Sequence, residues 1–507
     1  MKKVILILSI LLLPLSAAVA ADIPVATLDE LVNTVRSDPS AHIRLAADIN
    51  VASLTAPIDV TFKGTLDGSG FDASGNAIYH TIGGVAPAGG HDGRARHPLF
   101  KDVDGATFNG VVFCHYRLES NDDNLGVVAP TLSNATFENV GFANISVWDN
   151  DDYAGTITGK ATDCTFTSVR VVSSDVTVDG NRVGAMAGYS TGCTFTGCTT
   201  SVDTRVFADG NGIDAYAGGL VGESAHDKFR QCVNLGMVGG SDDRVGGLVG
   251  YSEYTNYYNC SNSGFVCQVK DEDEFHMQID KLIAQLKDRI ESVYDREEFF
   301  VYLGITGAVL QFSVAFLVAL SPLVAGISFF VGLGASVIAI VYGALIAWEG
   351  HDELGGIAGG AQAGLFSACS NYGCCYGIDS SVGGICGEIG HTFYSEGAGF
   401  DGCLNAGSVH GGVDVGGIVG HMEDSHVNNC LNVGEVSGEN PKSTGTIFGA
   451  ESDCGWNNNF FLGTSYDRVA GGRVSVTGEQ LSSGIVAWWL NGGRADGPWH
   501  QNIGGDA

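Results

Sequence analysis

The 507-residue chain contains no nucleophile elbow, no zinc-binding motif, no phosphate-binding glycine loop and no dinucleotide fingerprint. Each of those patterns carries a defined chemistry, so no cofactor and no familiar catalytic class is indicated. Basic residues are scarce: 25 Lys+Arg stand against 57 Asp+Glu, a formal charge of −32. A surface this acidic repels phosphate backbones and excludes a nucleic acid partner. Proline is equally scarce, with 10 residues against 74 glycines. With 16% charged residues, the chain fits neither a collagen-like nor a disordered class.

The N-terminus reads as a bacterial secretory signal over residues 1–20. Lys2 and Lys3 precede an apolar run from Val4 to Leu15, and small residues end at Ala18-Val19-Ala20. No cysteine follows that point closely enough to accept lipid, the first being Cys114, and the C-terminal GPWHQNIGGDA offers no anchor. The expectation is export, with any membrane attachment left to the centre of the chain.

Two short patterns alternate through the rest. The first is G-G-φ-x-G, with φ apolar, beginning at Gly218, Gly246, Gly355, Gly383 and Gly416 and in looser form at Gly155, Gly184 and Gly445. The second is C-x-N-x-G: Cys232/Asn234, Cys260/Asn262, Cys369/Asn371, Cys403/Asn405 and Cys430/Asn432. The first glycine lies 14 residues before the cysteine in most copies and 20 before it from Gly383. Units of 27 to 34 residues with short alternating runs bounded by Gly, Asn, Asp and Ser predict strands stacked along one axis. A single unit cannot bury its own apolar face, but stacking gives a continuous core. The pattern therefore predicts a mainly β protein, a parallel β-helix (solenoid), right-handed by the chirality of parallel connections. Like residues then form ladders about 4.8 Å apart, asparagine amides pairing rung to rung and cysteines packing as small apolar groups. Recurrence once per rung favours a thiol ladder over a disulfide framework. Cys374-Cys375 and the pair Cys193/Cys198 break the pattern and are the better disulfide candidates.

The G-G-[LI]-x-G copies followed by C-x-N-x-G-x-V resemble the GLUG-repeat proteins of bacterial surfaces, which are often adhesin-like. The opening segment is similar too, with Thr27-Leu28-Asp29-Glu30-Leu31 as a capping helix and FKGTLDGSG at 62–70. The closing GEQLSSGIVAWWLNGGRADGPWHQNIGGD is similar to the terminal module of large exported proteins of the Bacteroidetes type. The resemblance covers roughly 24–268 and 355–506. It implies a surface-exposed repeat scaffold and, after the terminal Gly-Asp, one further apolar strand that this sequence does not contain.

The repeat locates an insertion at 269–354. After Cys260-x-Asn262-x-Gly264 the next glycine pair is due near 274 and arrives at Gly355. Residues 271–298 predict an amphipathic helix, with apolar positions at 275, 279, 282, 283, 286, 290, 293 and 294. No charge occurs from Phe299 to Trp348, and Ser321-Pro322 divides that run into two segments long enough to span a bilayer. Thirteen Phe, Leu, Ile or Val residues in each give roughly −4 to −8 kcal/mol of insertion free energy per segment before polar penalties. Pro322 favours a tight bend, and Ala339, Gly343 and Ala347 form a small-xxx-small series for close helix approach. The expectation is a transmembrane-type helical hairpin contacting membrane lipid, burial in an oligomer being the alternative. Its tip carries no Lys or Arg, so the positive-inside rule gives no hold on the cytoplasmic face. Insertion after secretion, as in pore formers with such hairpins, therefore stands beside constitutive anchoring.

The chain divides into signal 1–20, cap and first β-helix block 21–268, insertion 269–354, second block 355–470 and closing module 471–507. Parallel β-helices include polysaccharide lyases and hydrolases, which need carboxylates, or a base beside a cation, on one groove. Asp149, Asp151 and Asp152 read as a loop, with a weak calcium site as the alternative. HDGRARH at 91–97 reads as a solvated loop, and His421 and His426 as surface positions. The expectation is a non-catalytic adhesion or interaction scaffold whose partners are lipid and a host or cell-surface glycan or protein. A membrane-inserting effector is the second reading and a carbohydrate-active enzyme the third.

Overall fold

A computed structural model describes residues 22–71, 77–86, 92–120, 123–149, 153–179, 181–209, 215–241, 244–269, 275, 277, 353–377, 381–390, 399–463, 473–494 and 499–500. The strands are short and parallel, and each pairs with its equivalent one repeat away, as Thr136–Glu138 pairs with Thr165–Thr167 and then Thr194–Thr196. A representative turn contains Tyr216–Gly218, Val221–Ala225, Lys228–Arg230, Val233–Asn234 and Met237–Gly240. Each of these joins a sheet running the length of the molecule, so the architecture is a parallel β-helix. Its third sheet, of nine strands, is built from the segments that carry the first glycine of each pattern.

Three-residue strands alternate out-in-out, and the inward residue is aromatic in successive rungs. Phe108, Phe137, Phe166, Phe195, Phe229, Tyr257, Phe366 and Phe400 stack face to face with centroids 4.6 to 5.3 Å apart. Stacked pairs of this kind contribute about 0.5–1.5 kcal/mol each beyond area burial. The strand turns at both ends through a residue with positive φ, as at Asp163 and Ser168.

The N-terminal end is covered by helix Leu28–Ser37, whose Thr27 side chain accepts from the Glu30 amide. At the other end, helices Gly478–Ser482 and Ile485–Leu490 lie over an outer apolar patch containing Leu431, Val433 and Phe460. Thr477 and Gln480 form a capping box there.

The stacked register runs straight across the insertion. Val249–Tyr258 pairs with Ala358–Ser367, and Arg244–Gly246 pairs with Glu353–Gly355. Strand Val266–Gln268 ends and strand Glu353–Gly355 begins at the corner where, in the sister rung one step earlier, Met237–Gly240 ends and Arg244–Gly246 begins. Phe275, buried and helical, stacks on Phe207 at 5.1 Å in an outer cluster with Met237, Phe265, Cys267 and Tyr376. Gly239 leaves the space for that ring, since a Cβ there would lie 2.5 Å from it. Apart from positions 275 and 277, the predicted amphipathic helix lies outside the described residues. So does the apolar hairpin, with Phe299, Pro322, Ala339, Gly343, Ala347 and Trp348. Among the described residues no helix is long and apolar enough to cross a membrane.

The disulfide candidates are corrected: all fourteen cysteines are free thiols. Cys193 and Cys198 bound the strand Thr194–Thr196 at opposite corners, each in its own column. Cys193 follows Cys164, and Cys198 heads the ladder Cys232, Cys260, Cys369, Cys403 and Cys430. Cys374 and Cys375 are chain neighbours that face opposite ways, Cys375 into the main core and Cys374 onto the outer cluster around Phe275.

Candidate functional site

The ladder residues form an inner support. Asn234 Nδ2 donates to Asn262 Oδ1 at 2.9 Å, Asn262 to Asn371 at 3.0 Å, Asn371 to Asn405 at 2.9 Å and Asn405 to Asn432 at 2.8 Å. Each amide also binds the backbone of the glycine two residues on, as Asn262 does with Gly264. Both ends of these buried amides are therefore satisfied. Beside them the thiols of Cys232, Cys260, Cys369, Cys403 and Cys430 are buried, each donating its S–H to the carbonyl two residues before it. Neutral, buried thiols are poor nucleophiles and poor metal ligands, so this column is packing rather than chemistry.

A buried polar island interrupts the core where the first cysteine column ends. Asp227 takes the place of Cys193 one rung on, and Thr255 the next. The Asp227 carboxylate accepts from Ser190 Oγ at 2.5 Å, Ser224 Oγ at 2.7 Å and the Cys193 amide at 2.6 Å. Thr255 Oγ1 lies 2.9 Å from Ser224 Oγ. Burial raises the Asp227 pKa to about 6 against the opposing pull of these hydrogen bonds and of neighbouring His226.

Directly outside this island the corner residues change character. The positive-φ position preceding the buried column is Gly105, Asn134, Asp163, Gly192, Ala363, Asp424 and Asp453 in other described rungs, small residues or types that tolerate it. In two adjacent rungs it is His226 (φ 58°) and Tyr254 (φ 47°), in register with one another. For such residues the left-handed conformation costs about 1–2 kcal/mol apiece, a strain worth explaining at an exposed surface. Their rings stack at 5.1 Å with planes 7° apart, and Tyr254 is 40% exposed. The strand beside them presents Lys228 next to Asn256 and Arg230 next to Tyr258, with the Arg230 guanidinium 5.2 Å above the Tyr258 ring. Two rungs thus carry an aromatic, basic and amide surface in a strongly acidic protein. Sequence reasoning missed it. The signal was available in the repeat itself, where His226 and Tyr254 stand at a position that other described rungs fill with Gly, Asn, Asp or Ala.

A second polar-aromatic stripe lines the corner between the third sheet and its neighbour. Lys160 lies over Tyr153, Arg182 between Tyr153 and Tyr216, and Arg244 between Tyr216 and Tyr251. Arg182 pairs with Glu223 and Arg244 with Glu353. Arg182 and Arg244 are thus occupied by carboxylates of their own neighbours, and the stripe closes the corner.

The remaining candidates are dispersed. Asp149 ends strand Gly141–Asp149, whereas Asp151 and Asp152 lie outside the described residues. Among the described residues no group of three His, Cys, Asp or Glu side chains is placed to hold a metal ion. In the HDGRARH stretch Asp92 is clasped by Arg94 at 2.8 Å and Arg96 at 2.6 Å, which holds its pKa far below the carboxylate range. His421 Nδ1 lies 2.9 Å from Asp414 Oδ2, and His426 stands on an outer strand beside Gly399.

No protein-family model matches the chain. No curated protein matches it either. Among solved structures it is similar to a Bacteroides ovatus protein provisionally named an immunoglobulin A1 protease, with 16% identity over 94% of this chain and 92% of that one. The TM-score is 0.25, and so distant a likeness carries no argument.

Proposed function

We propose that this chain is an exported, non-catalytic β-helical scaffold of the GLUG-repeat type, held at a membrane by the 299–348 segment and presenting its rungs to a partner. The observation that carries the reading is the hydrogen bond from Asn262 to Asn371, made across 109 positions of sequence. The rungs stack in register across the insertion, so the described main core is complete without the apolar segment. Fifty uncharged residues on an exported acidic rod find their best solvent in lipid. The rungs offer binding surface, and the buried thiols and paired histidine do not offer a nucleophile with its base.

Replacing 270–352 by an Asp-Asp turn, as in the sister rung, tests this. The intact protein is expected with the membrane fraction, and the deleted form soluble with an unchanged β-rich circular dichroism spectrum. An intact chain that stays soluble in the medium would sink the anchor. The uncharged hairpin tip supports a second reading, an effector that inserts after secretion. That reading requires the soluble protein to release dye from liposomes. New reducing or unsaturated ends in a glycan screen would overturn the non-catalytic assignment.

A further inference from the structure

We infer that the surface formed by His226, Lys228, Arg230, Tyr254 and Tyr258 is a binding patch for an acidic glycan, a sugar chain bearing carboxylates. This rests on the reading of the rod as a non-catalytic binding scaffold and names the ligand class of one face.

Three independent features converge on it. The stacked rings of His226 and Tyr254 offer a flat, exposed aromatic face at a corner that other described rungs fill with Gly, Asn, Asp or Ala. Such a face packs on the apolar side of a pyranose ring. Lys228 and Arg230 are exposed on the adjoining strand and, unlike Arg94, Arg182 and Arg244, have no carboxylate partner among the described residues. An unengaged guanidinium held over Tyr258 is free to grip a carboxylate through paired N–H donors. Finally, this positive patch sits on a chain of net charge −32. Long polyanions are repelled by the rest of the rod, whereas a ligand a few sugars long fits within two rungs.

The corner strain separates function from stability. Asparagine tolerates the left-handed conformation better than tyrosine, so Tyr254→Asn is expected to raise the melting temperature while removing the platform. The test uses the intact chain, with tetragalacturonate as probe and neutral galactotetraose as control, followed by calorimetry. The acidic probe is expected to bind at least about tenfold tighter than the neutral one, a ratio that falls with added salt. Tyr254→Asn and Arg230→Gln are each expected to weaken it about tenfold. Absence of binding by the wild type, equal binding of the neutral probe, or unchanged affinity in both variants overturns the assignment. Equal binding of an oligoglutamate peptide overturns it too, by showing that charge alone suffices. Cleavage of the probe would instead sink the non-catalytic reading while leaving the patch in place.

Discussion

Gly247 lies against the side-chain amide of Asn262: a Cβ at Gly247 would stand 2.6 Å from Asn262 Cγ and 2.1 Å from the Gly356 carbonyl oxygen. The same contact recurs as Gly219 with Asn234, Gly356 with Asn371, Gly384 with Asn405 and Gly417 with Asn432. The second glycine of one sequence pattern and the asparagine of the other thus meet across a single rung, which explains their nearly constant spacing. Gly247→Ala is expected to cost at least about 3 kcal/mol, because backbone must move as well as the amide. Ala185 already occupies the equivalent position in a rung that carries Thr200 instead of asparagine. Ala185→Gly is therefore expected to change stability by less than about 1 kcal/mol. Chemical denaturation of both variants checks the contrast, and equal costs would refute the packing argument.

Asn371 is the middle of the amide ladder, donating to Asn405 and accepting from Asn262. Asn371→Leu leaves a donor below and an acceptor above without partners in a dry core. The expected loss is about 3 kcal/mol or more, several times that of an exposed substitution such as Thr165→Ala. A loss comparable to the exposed control would mean that water enters the ladder.

Much of this was legible in sequence because a β-helix writes one residue per rung into a fixed period. The Cys and Asn columns and the position of the insertion follow directly from that period. What escaped depends on facing direction within a rung. Cys193 and Cys198, five apart, read as a pair, yet a three-residue strand between two corners sends them into separate columns. Asp227 reads as one more surface acid of an acidic chain, and only its register with Cys193 reveals that it points inward. Phe275 marks itself as apolar in the helical stripe, but nothing local tells that Gly239 has cleared a seat for it.

Asp227 makes stability fall as pH rises. Its folded pKa, about 6, lies above the ordinary aspartate value of 3.8. A carboxyl with a raised folded pKa contributes stability that is full below the unfolded value and is lost as pH climbs through the folded one. The relevant window is about pH 4 to 7, and the loss is on the order of 2 kcal/mol. Asp227→Asn keeps a polar group among Ser190, Ser224 and Thr255 and removes the titration. Melting temperatures of both proteins at intervals across that window are expected to converge at the acid end and separate toward neutrality, the variant being higher. Parallel curves would mean that Asp227 does not titrate there.

Thiol reactivity tests the ladders as a whole. Fourteen free cysteines predict fourteen alkylated sites after denaturation without reductant. In the native protein Cys114, Cys374 and Cys454 are partly exposed, Cys374 with its pKa pushed up to about 12 by burial, while Cys232, Cys260, Cys369, Cys403 and Cys430 lie at 0–1% exposure. Iodoacetamide is therefore expected to modify Cys114 and Cys454 first, slowly because burial raises both their pKa values, and to reach the ladder only through unfolding. Ladder labelling should accordingly track the global unfolding rate and accelerate in Asn371→Leu. Fewer than fourteen sites in the denatured chain would show that disulfides form after export. Rapid native labelling of Cys260 or Cys369 would show that the rod opens where the insertion leaves it.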